Sequence, residues 1–138
     1  MVRIKQRYIL GELVFADSNS VDSNITQKKV LENFRRVVHE LYGDVGLAKI
    51  QPNFLIKFWN VTTRIFILRV GRDNCDTACT SLAFLTNFEE PATEVGAASR
   101  DRPCRARILH VGGTLEKVEF RYKQLSEAWL ESSMLKQQ

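Results

Sequence analysis

The chain has 138 residues, 44% of them apolar and 26% charged, with 20 Lys and Arg against 16 Asp and Glu. That balance fits one globular domain able to bury a core, and no apolar run approaches the ~18 residues that span a membrane. A net charge of +4 with a pI near 9.1 suits an anionic partner without demanding one, and the N-terminus has no signal-peptide pattern, so an intracellular protein without membrane contact is expected.

The first element is a strand over Tyr8–Phe15, preceded by Arg3, Lys5 and Arg7 at every second position. Side chains at i, i+2 and i+4 share one face of an extended strand, so these three cations project together. Such a row suits phosphates. A solvated strand end, protected by charge against edge-to-edge pairing, accounts for it equally well. A polar loop follows from Asp17 to Asn24, and Thr26 then caps a helix with Val30, Leu31, Phe34, Val37, Val38, Leu41 and Tyr42 on one side, ending at Gly43. Phe54–Val61 and Arg64–Val70 read as two strands joined by a hairpin at Asn60–Thr63.

Asp73 is the expected cap of a second helix carrying Cys75, Ala78, Cys79, Leu82 and Leu85. The Pro-, Gly-, Ala- and Ser-containing stretch from Glu90 to Asp101 reads as a flexible insertion. Arg105–Val111 is a fourth strand, stopped by Gly112–Gly113. A last helix carries Leu115, Val118, Tyr122, Leu125 and Trp129 as a core-facing stripe.

The order βαββαβ plus a terminal helix, in a single domain over residues 1–138, predicts an α+β fold, an RRM-like (ferredoxin-like) sandwich. Ile65 and Ile67 lie on one face of the third strand and Phe66 and Leu68 on the other, so both faces should be covered. The segment Arg64–Val70 lacks the Gly- and aromatic-rich signature of an RRM base-stacking strand, and Phe66 reads as core. Base readout on an open sheet is therefore not expected.

Chemistry by the chain itself has little support. His39 and His110 are far apart, and no glycine-rich nucleotide loop or carboxylate cluster suited to two metals is visible. Cys75 and Cys79 would share a helix face, but zinc needs two further ligands and the chain offers only His39, His110 and Cys104 among soft ones. No cofactor or metal is expected on the protein. Gly112–Gly113–Thr114 would offer N–H groups to a phosphate, and a tight strand-to-helix turn explains the glycines as well.

Three blocks, in order, carry a resemblance: Met1 to Tyr8 with Leu10, Glu12 and Leu13; Asn60 to Arg69; and Leu109 to Thr114. Together they resemble the POP five family of protein subunits of ribonuclease P and RNase MRP. Glu116 departs from the pattern, standing near where relatives carry a basic residue, although a carboxylate in a first helical turn suits the macrodipole.

The resemblance implies an RRM-like sandwich with added helices. It implies pairing with the thirty-kilodalton TIM-barrel-like ribonuclease P protein subunit, among other holoenzyme proteins. It also implies contact with ribonuclease P RNA, with MRP RNA and with precursor tRNA, in a particle where the RNA is the catalyst and holds magnesium. The 5′ leader of precursor tRNA would be removed there, and in a eukaryote the nucleolus within the nucleus would also host ribosomal RNA processing. Under that reading Arg3, Lys5 and Arg7 touch phosphates, with Tyr8 anchoring the strand; Arg105 and Arg107 come second, and Arg64, Arg69 and Arg72 third. The rival is an RRM-like protein-only scaffold without RNA contact.

Overall fold

A computed structural model describes residues 5–16, 25–90 and 100–136. Its elements are β1 (Gln6–Phe15), α1 (Gln27–Ile50), β2 (Leu55–Asn60), β3 (Ile65–Gly71), α2 (Cys75–Ala83), β4 (Asn87–Glu90), β5 (Arg100–Gly112) and α3 (Leu115–Lys136). The strands form one antiparallel sheet in the order β2-β3-β1-β5-β4. This is the ferredoxin-like order with one extra edge strand, β4.

Alternation along β1 sends Ile9, Leu13 and Phe15 to one face of the sheet. There they meet Val30, Phe34, Val37 and Val38 of α1 and Ala78 and Leu82 of α2, with Phe34 edge-on to Phe66 at 5.0 Å between centroids. Leu10 and Ile67 face the other way and are sealed by Val118 of α3, flanked by Leu115, Tyr122 and Leu125. Both faces are thus covered, as the two-sided apolar pattern of the third strand requires. Trp129 is an exception to its stripe: it is 67% exposed while Val118 is fully buried.

Thr26 caps α1 as expected, its side chain accepting from the Lys29 N–H at 3.3 Å. The helix does not end at Gly43. The backbone breaks there (φ 72°, ψ −167°), and helical structure resumes as far as Ile50. Asp73 is not the cap of α2; it sits in a 3₁₀ turn, Arg72–Asn74, and α2 starts at Cys75. The expected loop from Glu90 to Asp101 is shorter than read, because Glu90 belongs to β4 and Arg100–Asp101 to β5, which pair across it. The remainder of that segment and the Asp17–Asn24 loop lie outside the described residues.

Groups at or near the start of α1 meet both sheet edges. Along β2, Gln27 Nε2 donates to the Ile56 carbonyl and Trp59 Nε1 donates to the Ile25 carbonyl at 2.9 Å. Along β4, Asn33 acts as a one-residue strand: its Nδ2 donates to the Glu89 carbonyl at 3.1 Å and its Oδ1 accepts from the Glu89 N–H at 2.8 Å. Arg36 adds a bond from Nη2 to the Asn87 carbonyl at 2.8 Å.

Candidate nucleic-acid interface

The described cations among the expected contacts divide into two groups, one at each end of β1. The first forms where the start of β1 meets the end of β3 and the end of β5. Gln6 lies opposite Gly71, Arg7 opposite Val70 and Tyr8 opposite both Arg69 and Gly112. The ladder is extended by the Arg72 N–H, which donates to the Lys5 carbonyl at 2.9 Å. Lys5, Arg7, Arg69 and Arg72 therefore lie at the same end of two neighbouring strands, with Arg7 and Arg69 on opposite faces of the sheet. Arg3 lies outside the described residues.

Side-chain bonds hold this end in shape. Arg69 Nε donates to the Asn53 carbonyl at 3.3 Å, and Asn53 Oδ1 accepts from Gln6 Nε2 at 3.3 Å. The Tyr8 hydroxyl donates to Gln6 Oε1 at 3.4 Å, while the Tyr8 ring packs beside the Leu10–Ile67–Val118 cluster. Tyr8 thus anchors the strand instead of presenting a stacking face. Arg7 Nη1 donates to the Gln6 carbonyl at 3.0 Å and lies 3.8 Å from where a Cβ on Gly113 would stand, so its guanidinium borders the turn into α3. In that turn, Thr114 Oγ1 accepts from the Lys117 N–H at 3.4 Å, and Glu116 occupies the first turn of the helix. Arg72 Nε stands 3.6 Å from Asp73 Oδ1, a pair open to solvent and screened by it.

Gly112 has a packing reason. A Cβ there would come within 2.6 Å of Val118 Cγ2, so the glycine lets α3 fold tightly back onto the sheet.

The second group lies at the far end of β1. Arg64 closes the β2–β3 hairpin with φ 60°, its N–H donating to the Asn60 carbonyl at 2.7 Å and its carbonyl accepting from the Leu13 N–H at 2.9 Å. Its guanidinium carbon is 4.9 Å from the centroid of the Phe15 ring. Arg102 approaches the same ring to 4.4 Å and faces Glu90 at 3.6 Å. Arg105 is exposed opposite Val14, and Arg107 pairs with Glu12 at 3.4 Å. Arg102 was not among the expected contacts. Its parity with Cys104, Ala106 and Ile108 was the available signal, since it places the side chain on the core-facing side of β5, where it is 5% exposed.

Among the described residues, no group of three or more His, Cys, Asp or Glu side chains is placed to hold a metal ion. Burial and the neighbouring Cys75 push the Cys79 thiol up to about 11, and burial pushes Cys104 up to about 12. Both remain neutral thiols, which are poor ligands and poor nucleophiles. No helix among the described residues is long and apolar enough to cross a membrane.

A model of the Rpp14/Pop5 family matches residues 7–123. The ribonuclease P/MRP protein subunit POP5 of Schizosaccharomyces pombe is 28% identical over 127 residues, covering 86% of this chain and 84% of that protein. The Homo sapiens protein of the same name is 31% identical over 118 residues, and there the match covers 83% of this chain but 66% of the relative. In fold, the chain is similar to one in the cryo-EM structure of yeast ribonuclease MRP, with a TM-score of 0.56 and 17% identity, over 93% of this chain and 98% of that one.

Proposed function

The chain belongs to the Rpp14/Pop5 family, and from that premise we propose that it is a non-catalytic, RNA-binding subunit of ribonuclease P and of RNase MRP. The observation that carries the reading is the placement of Lys5, Arg7, Arg69 and Arg72 at one end of a sheet whose faces are both covered. A covered sheet cannot stack bases as an open RRM does. Cations at a sheet end grip phosphates instead, which positions RNA without reading its sequence. In this role the protein supports an RNA catalyst that removes the 5′ leader of precursor tRNA, and the magnesium sits on the RNA. The partners are ribonuclease P RNA, MRP RNA, precursor tRNA and the TIM-barrel-like protein subunit, and the setting in a eukaryote is the nucleus and nucleolus.

Purifying the tagged chain from its native extract, sequencing the RNA that comes with it and assaying leader removal tests the assignment. Recovery of a ribonuclease P RNA with that activity is expected. Recovery of proteins alone overturns it in favour of the protein-only scaffold. In the assembled particle, four phosphate contacts predict a salt slope of about −3 by the single-strand factor. Replacing Arg69 and Arg72 together by Gln should flatten that slope by about 1.4 by the same factor. An unchanged slope counts against this end as the RNA contact.

A further inference from the structure

The cations at the start of β1 differ in how they are held. Lys5 and Arg72 are exposed, and Arg72 faces the exposed carboxylate of Asp73. Arg7 uses an Nη1 donor on the Gln6 carbonyl. Arg69 is half-buried and bonds through Nε alone, to the Asn53 carbonyl at 3.3 Å; it makes no ion pair or further hydrogen bond among the described residues. Both of its Nη groups, the outer edge of a planar fork, are left for an acceptor from outside the chain.

The surroundings fix that fork. Tyr8 and Leu55 stand directly opposite Arg69, so the three side chains form one row across β1, β3 and β2, on the sheet face that carries α3. Gln6 shares this face opposite Gly71, and its amide is engaged at both atoms: Oε1 accepts from the Tyr8 hydroxyl at 3.4 Å and Nε2 donates to Asn53 Oδ1 at 3.3 Å. Asn53 ends the 3₁₀ turn Gln51–Asn53, and its Nδ2 lies 3.6 Å from where a Cβ on Gly71 would stand. A chain of hydrogen bonds thus runs from Tyr8 through Gln6 and Asn53 to the Nε of Arg69. Holding a guanidinium at Nε sets its plane before a ligand arrives, which reduces the side-chain freedom lost on binding.

We propose that Arg69 takes one RNA phosphate through both Nη groups and that Gln6 positions it, acting through Asn53. The proposal rests on the RNA-binding reading and deepens it: Lys5, Arg7 and Arg72 supply charge, whereas Arg69 supplies a fixed geometry. Two parallel N–H groups match two oxygens of one phosphate, and a lysine ammonium at the same position would carry the charge without the fork.

RNA affinity and its salt slope, measured with the full chain and its protein partners on ribonuclease P RNA, test this. Arg69→Lys keeps the charge, so the slope should hold while affinity falls about tenfold, as expected for losing a charge-assisted bond. Gln6→Met keeps the size of the side chain and removes both amide bonds; it should weaken binding at an unchanged slope. Combined with Arg69→Lys it should add nothing, because both changes act on one fork. Arg69→Lys with wild-type affinity overturns the fork while the RNA-binding reading stands, since a point charge then suffices. Losses from Gln6→Met and Arg69→Lys that simply add overturn the positioning role of Gln6. Arg69→Gln that alters neither affinity nor slope overturns the fork and counts against this end as an RNA contact.

Discussion

Gly43 shows how backbone geometry alone fixes a residue. Its φ of 72° and ψ of −167° lie in a region that only glycine occupies at low cost, yet nothing stands within 4 Å of an added Cβ. Gly43→Ala should therefore destabilise the fold by about 1–3 kcal/mol without any clash, a loss that urea unfolding will read. The sequence marks this glycine as a helix end, which is right for the local conformation. It does not show that the helix resumes, because Ile50 is held by the core and not by a continued stripe. Cys104 makes a different residue-scale prediction. Its thiol is raised from an ordinary 9.0 to about 12 by burial, so the folded state holds the proton that the unfolded state releases. Above the unfolded value the folded chain binds more protons, and stability must fall as pH rises through that window. Melting curves from pH 9 upward should decline, and Cys104→Ala should lessen the decline.

At the scale of elements, α1 serves the sheet edge as much as the core. The Asn33 amide meets both polar groups of Glu89, satisfying the outer edge of β4 opposite its ladder with β5. Asn33→Ala orphans that N–H and carbonyl at a cost of about 1–3 kcal/mol. Hydrogen exchange should quicken at β4 while the amides of β1 and β3 stay protected; uniform quickening would contradict this local account. The same dependence explains why β4 escapes a sequence reading. Asn87–Glu90 is four residues long with two carboxylates, and its outer edge is met by a side chain more than fifty positions earlier. β5 was legible from Arg105 onward, where apolar residues alternate, but not over Arg100–Pro103, which is charged and capped by proline. The helix stripes and the hairpin between β2 and β3 were legible because their signals are local: apolar spacing, Thr26 as a cap, and a short polar turn.

For the whole molecule, β1 divides two cores. The larger lies under α1 and α2, and the smaller, built on Leu10, Ile67 and Val118, lies under α3. Val118→Asp buries an unpaired carboxylate in the smaller core alone, so α3 should detach while the larger core persists. Fast exchange confined to α3, with near-native protection in α1, checks this; global unfolding would mean that the two cores are one cooperative unit. The alternation in β3 made the second cover legible, whereas the gathering of cations at two ends was not, because it depends on which strands become neighbours. That adjacency bears on how the chain reaches its native state. β1 is synthesised before its partners and is the most central of the described strands, yet those partners are β3 and, after roughly ninety residues of further synthesis, β5. Such distant pairings slow folding, because the closure entropy falls due before the contacts form. On the ribosome, the sheet's middle strand therefore waits with an open edge until Gly112 has emerged, and this interval, not any exposed edge of the finished protein, is when the chain is most prone to aggregate and most in need of a chaperone.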